Sequence, residues 1–126
     1  MQRYELDAWL GDDHGLTEDQ ITCLLATADE IAARYPDPDD GDDREQAFVI
    51  AYRVLVEPAE DVVAELAVAL SRARRFEHAA KVALRQAAAS LIEPDARKGD
   101  GVRSEAGFAE AAGVDRQAVR SWLGKR

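Results

Sequence analysis

The sequence predicts an all-α protein of about six helices. An N-terminal helical bundle leads through a long helix into a pair of short C-terminal helices joined by a tight turn. Two observations carry this. Apolar residues recur at spacings of three and four along most of the chain, the period of one helix face. Glycine and proline fall between these runs, and neither occurs from Ala59 to Glu93. A strand is the alternative over the few residues of 3–10 and competes at β-branched Val49 and Ile50, where length and flanks favour a buried helix.

Taken in order, Leu6, Trp9 and Leu10 share one face of a short helix over residues 3–10, which the glycines at 11 and 15 bound. His14, in that break, has no second histidine or thiol spaced to make a metal site and is expected in solvent. Thr17 followed by Gln20 is a capping-box pattern that starts a second helix, predicted over 18–35. Ile21, Leu24, Leu25, Ala28, Ile31, Ala32 and Tyr35 keep helical spacing along it, and Pro36 ends it. Cys23 lies in this apolar pattern and is expected to be buried. The acidic run 36–43 fails the calcium-loop pattern: with Gly41 in sixth place, Pro36 stands first and Ala47 twelfth. It is predicted as a solvated connector. Residues 44–56 form a third helix with Ala47, Phe48, Ala51, Val54 and Leu55 on its inner face. Pro58 suits the first turn of the next helix, and Glu60 and Asp61 suit its dipole. An apolar stripe rich in alanine continues to Leu91. One helix of that length would reach about 50 Å. A break near the arginines at 72, 74 and 75 is the alternative. The stripe serves either as core or as a dimer seam. His78 is expected at the surface. Pro94 stops the long helix, and 93–101 is predicted as a loop.

Composition narrows the function. No apolar run is long enough to span a membrane, and the polar start Met1-Gln2-Arg3-Tyr4-Glu5 does not resemble a signal peptide. A single cysteine forms no internal disulfide. A cytoplasmic protein is expected. Two separated histidines and one thiol do not build a nucleophilic triad or a zinc site. No catalytic residue, metal or cofactor is assigned, and an enzyme is the least favoured class. The net charge of −9 is unevenly spread. Residues 1–70 carry four arginines against eighteen acidic residues, whereas residues 71–126 carry twelve basic against seven acidic. Because charge attraction decays over roughly 8–10 Å, the basic half can meet a polyanion while the acidic half lies elsewhere.

The most informative stretch is 104–124. Ser104 can cap a helix over about 104–112, and Gly113 supplies the positive φ of a sharp exit. Asp115 caps a second helix over about 115–124. Small Ala109 lets the two helices approach. Phe108, Ala112, Val114, Val119, Trp122 and Leu123 form the inner faces. This leaves Arg116, Gln117, Arg120 and Ser121 on the outside of the second helix, side chains suited to base edges in a major groove. Lys125 and Arg126 follow and suit phosphates. Arg103 and Ser104 flank the motif, with Arg97 and Lys98 upstream.

On Ala109, Gly113, Val114, Val119 and Trp122 and their spacing, residues 104–124 resemble the helix-turn-helix of bacterial transcription regulators and resolvase-like proteins. Phe108 departs from the usual leucine. The resemblance implies that 115–124 is a recognition helix, with Arg116, Gln117, Arg120, Ser121, Lys125, Arg126, Arg103 and Ser104 as DNA contacts. Double-stranded DNA is then the expected partner. A homodimer is also expected, with half-sites roughly 34 Å apart. The expected division is an acidic helical region, 1–74, and a DNA-binding region, 75–126. Two other readings stand beside a transcriptional regulator. One is an interaction module whose acidic bundle binds a basic protein. The other is a plasmid- or phage-borne accessory DNA-binding protein.

Overall fold

The computed structural model describes residues 1–125, with the backbone alone at Lys98. Among the described residues there are six α-helices and no strand. They are α1 (Arg3–Leu10), α2 (Glu18–Arg34), α3 (Gly41–Val56), α4 (Ala59–Leu91), α5 (Glu105–Ala112) and α6 (Arg116–Trp122), with 3₁₀ segments at Pro38–Asp40 and Lys98–Arg103. None is long and apolar enough to cross a membrane. The chain divides into two compact units, Met1–Ala67 and Val68–Arg126, each with its own buried cluster.

In the first unit, Leu6, Ile21, Leu24, Ile31 and Phe48 form the core. α2 begins as its sequence dictates: Thr17 Oγ1 accepts from the Gln20 amide, and Gln20 Oε1 accepts from the Thr17 amide. Trp9 meets Phe48 and Tyr52 edge-on, with ring centroids at 4.8 and 5.4 Å, so α1 is anchored through its aromatic side chain as well as Leu6. Three details depart from the sequence reading. Cys23 is exposed, because the inner face of α2 follows Ile21, Leu24 and Ile31, and two residues along a helix is about 200° around it. Val54 is exposed on α3, while Phe48 is buried. His14 is half-buried, its Nδ1 accepting from the Leu16 amide at 3.0 Å.

The acidic connector is shorter than its composition implied. α3 starts at Gly41, so Asp42 and Asp43 lie in its first turn, where carboxylates offset the exposed amide dipoles. Arg44 reaches back from that turn and donates to the carbonyls of Tyr35 at 2.6 Å and Asp37 at 2.7 Å. One guanidinium thereby satisfies carbonyls left open where α2 ends.

α4 is unbroken across the arginine cluster. Its last turns belong to the second unit's core: Ala88 is fully buried, with Leu84, Ala87 and Leu91 packed around it. Between residues 68 and 83 it is exposed on every side, including Val68, Leu70, Phe76 (77% exposed) and Val82. The sequence stripe therefore serves as core only at its ends.

The rest of that core is Phe108, Ala109 and Val119, edged by Ala112, Val114, Trp122 and Leu123. The predicted loop before α5 is partly helical. Its backbone is tied by the Glu93 amide donating to the Arg103 carbonyl at 2.9 Å and turned at Gly101, whose φ of 63° and ψ of −133° suit glycine.

Candidate nucleic-acid interface

The two C-terminal helices have 8 and 7 residues, too short to persist on propensity alone. Local chemistry fixes them. Ser104 Oγ accepts from the Gly107 amide at 3.0 Å and donates to the Gly101 carbonyl at 3.0 Å, capping α5 and fastening the preceding turn. Gly107 permits that approach: a Cβ there would lie 1.9 Å from the Gly101 oxygen. α5 ends at Gly113 in the left-handed region (φ 69°, ψ 32°). The Val114 amide donates to Ala109 O at 3.0 Å and the Gly113 amide to Glu110 O at 3.3 Å, a Schellman closure. Asp115 Oδ1 then accepts from the Gln117 amide at 2.7 Å and starts α6.

α6 turns Val119, which is fully buried, towards Phe108 and Ala109, with Trp122 packed beside it. Its other face carries Arg116, Gln117 and Ser121, all exposed. Arg120 lies on the same side but is half-buried, its Nη1 2.9 Å from Glu105 Oε2. Arg116 Nη2 approaches the same oxygen at 3.4 Å, and Lys125 Nζ approaches Glu105 Oε1 at 2.6 Å. Three of the predicted contact residues thus converge on one carboxylate whose side chain is 11% exposed.

The Lys125 ammonium, donating to Glu105, holds its carboxyl below the usual glutamate range; partial burial opposes this and Arg120 reinforces it. Glu105 is therefore anionic at neutral pH and is shared by Arg116, Arg120 and Lys125. Beside the cluster opens a cleft of about 470 Å³ lined by Glu93, Arg97, Glu105, Arg116, Arg120 and Lys125.

The remaining predicted contacts are dispersed. Arg103 is exposed and faces Glu93 at 3.5 Å. Ser104 is 3% exposed with its hydroxyl engaged in the α5 cap, so it presents no group to a ligand. Arg126 and the Lys98 side chain lie outside the described residues. Glu105 was missed from sequence. It stands 11, 15 and 20 residues from its three cations, separations with no helical period to reveal them. Only the excess of cations around α6 pointed to a counter-charge. Comparison with known protein families, curated proteins and solved structures finds no match for this chain.

Proposed function

We propose that this chain is a sequence-specific double-stranded DNA-binding protein, a transcriptional regulator that reads the major groove with α6. The observation that carries the reading is the division of α6. Val119 and Trp122 pack inward, leaving Arg116, Gln117 and Ser121 exposed along the opposite side. An exposed Arg–Gln–Ser face suits guanine and adenine edges. Lys125 and Arg103 serve as phosphate contacts, and Arg126 extends that set. Arg120 acts mainly through Glu105, by holding α6 in place. Ser104 acts as the cap that positions α5.

A homodimer belongs to the same proposal, because one short helix spans few base pairs. It is supported by the exposed apolar side chains of α4 between residues 68 and 83. The second copy suits this surface. α4 is acidic at Glu60, Asp61 and Glu65 and basic at Arg72, Arg74 and Arg75, so an antiparallel crossing of two copies sets opposite charges together.

Selection from random duplexes, followed by anisotropy against salt, tests the reading, with sedimentation reporting stoichiometry. The chain should bind a selected duplex with a steep salt dependence. Arg116→Ala should cost about 1–3 kcal/mol and relax preference at one position. Lys125→Ala should weaken all duplexes evenly and lower the salt slope by about one. Absence of binding to any duplex, or equal site preference in wild type and the Arg116→Ala/Gln117→Ala variant, would sink it.

A further inference from the structure

We propose that the cleft beside Glu105 is a phosphate-binding site in which Glu105 is the resident internal anion. A phosphate group displaces it from Lys125. That cation is placed for both partners. Its side chain is 44% exposed, while the carboxylate it bonds is 11% exposed. Its charged end therefore meets protein on one side and the cleft on the other.

Charge balance favours an added anion. Arg116 and Lys125 outnumber Glu105, and exposed Arg97 adds a third cation to the cleft wall. Glu93, the second carboxylate there, already faces Arg103. Phosphate offers guanidinium and ammonium groups the same short charge-assisted hydrogen bonds as a carboxylate, with more acceptor oxygens and greater charge. The volume of about 470 Å³ falls in the range of small-ligand sites, roughly 300–1,000 Å³. The phosphate can come from a nucleic-acid backbone, in which case the inference rests on the reading of α6 above, or from a phosphorylated small molecule, in which case it does not.

The test uses the full chain with pyrophosphate as probe, followed by calorimetry and Trp122 fluorescence. Sodium chloride at matched ionic strength is the control. Saturable pyrophosphate binding is expected. Lys125→Ala and Arg97→Ala, both at exposed positions, should each weaken it by about three- to tenfold. Glu105→Gln should tighten it by about threefold or more, since a competing charge is removed. A carboxylate that only staples the helices would instead leave binding unchanged or weaker in Glu105→Gln. Circular dichroism confirms that each variant is folded. Competition by duplex DNA assigns the site to backbone phosphate. Pyrophosphate binding that no duplex disturbs assigns it to a small phosphorylated ligand, and then the site stands while the α6 reading falls. No saturable response in either wild type or Glu105→Gln, or binding in Glu105→Gln no tighter than in wild type, overturns the proposal.

Discussion

The two units reach stability by different routes. The first uses long helices, 17 residues in α2 and 16 in α3, around large side chains: Leu6, Ile21, Leu24, Ile31 and Phe48. Its polar devices, the Thr17 box and the Arg44 latch, finish helices that packing already holds. The second uses helices of 8 and 7 residues around a core in which two of four buried members are alanines. Less apolar area is available there, so caps, a left-handed turn and an ion cluster carry more of the load. The unit that leans on polar fixings is the one that displays cations, and one of those fixings, Glu105, holds the cations themselves.

Breaking the larger core should give the largest effect. Each unit contains one tryptophan, Trp9 in the first and Trp122 in the second, so single-tryptophan variants report the units separately. Phe48→Ala removes a buried ring and its edge contact with Trp9. It should cost about 3–5 kcal/mol. Because the two buried clusters share no residue, urea denaturation should move the Trp9 transition by more than the Trp122 transition. Equal displacement of both would mean that the clusters unfold as one.

The second unit should break at a position with no side chain. On propensity, Gly107→Ala in α5 gains about 1 kcal/mol. The new Cβ, however, falls 1.9 Å from the Gly101 oxygen and 2.6 Å from its carbonyl carbon, and neither is the end of a flexible side chain. Overpacking of this kind costs about 1–3 kcal/mol or more. A net loss of about 2 kcal/mol in the Trp122 transition is expected, with amide exchange quickened over residues 93–107. A gain in stability would show that the turn at Gly101 retreats freely.

Much of this architecture was legible because it is local. Thr17 with Gln20, Ser104, Gly113 and Asp115 each act within four residues of themselves, so their sequence neighbours identify them. Ile21, Leu24 and Ile31 of α2 and the inner face of α6 followed from period alone, and so did the all-α class, whereas Ala32 on the expected α2 face is exposed. The misses share a cause. Cys23 and Val54 are small apolar residues within apolar runs, and such a run does not say which members turn outward. Arg44 and Glu105 bond across 7–20 residues, and only the fold brings those partners together. The exposed stretch of α4 was the subtler case. Its heptad-like stripe correctly gave a helix, but periodicity does not distinguish a face buried within the chain from one left to another partner.

Acid should produce the smallest effect and the finest contrast. In the first unit, Arg3 lowers the carboxyl of Glu18 and Arg53 that of Glu57, each through an exposed pair that solvent screens. In the second, Lys125 and then Arg120 lower that of Glu105, which is far less exposed. A folded-state value below the unfolded one gives stability that is complete above the unfolded glutamate value of about 4.3 and is lost as pH falls through the folded value. Thermal melts taken from about pH 6 down to about pH 3 should therefore lower the Trp122 midpoint. Glu105→Gln should flatten that dependence while leaving the Trp9 melts as they were. If the Trp122 midpoint falls equally in Glu105→Gln, the carboxylate is not what ties α5 to α6. Arg116 and Arg120 are then placed by α6 itself, and the ion pairs to Glu105 add nothing to the stability of the second unit.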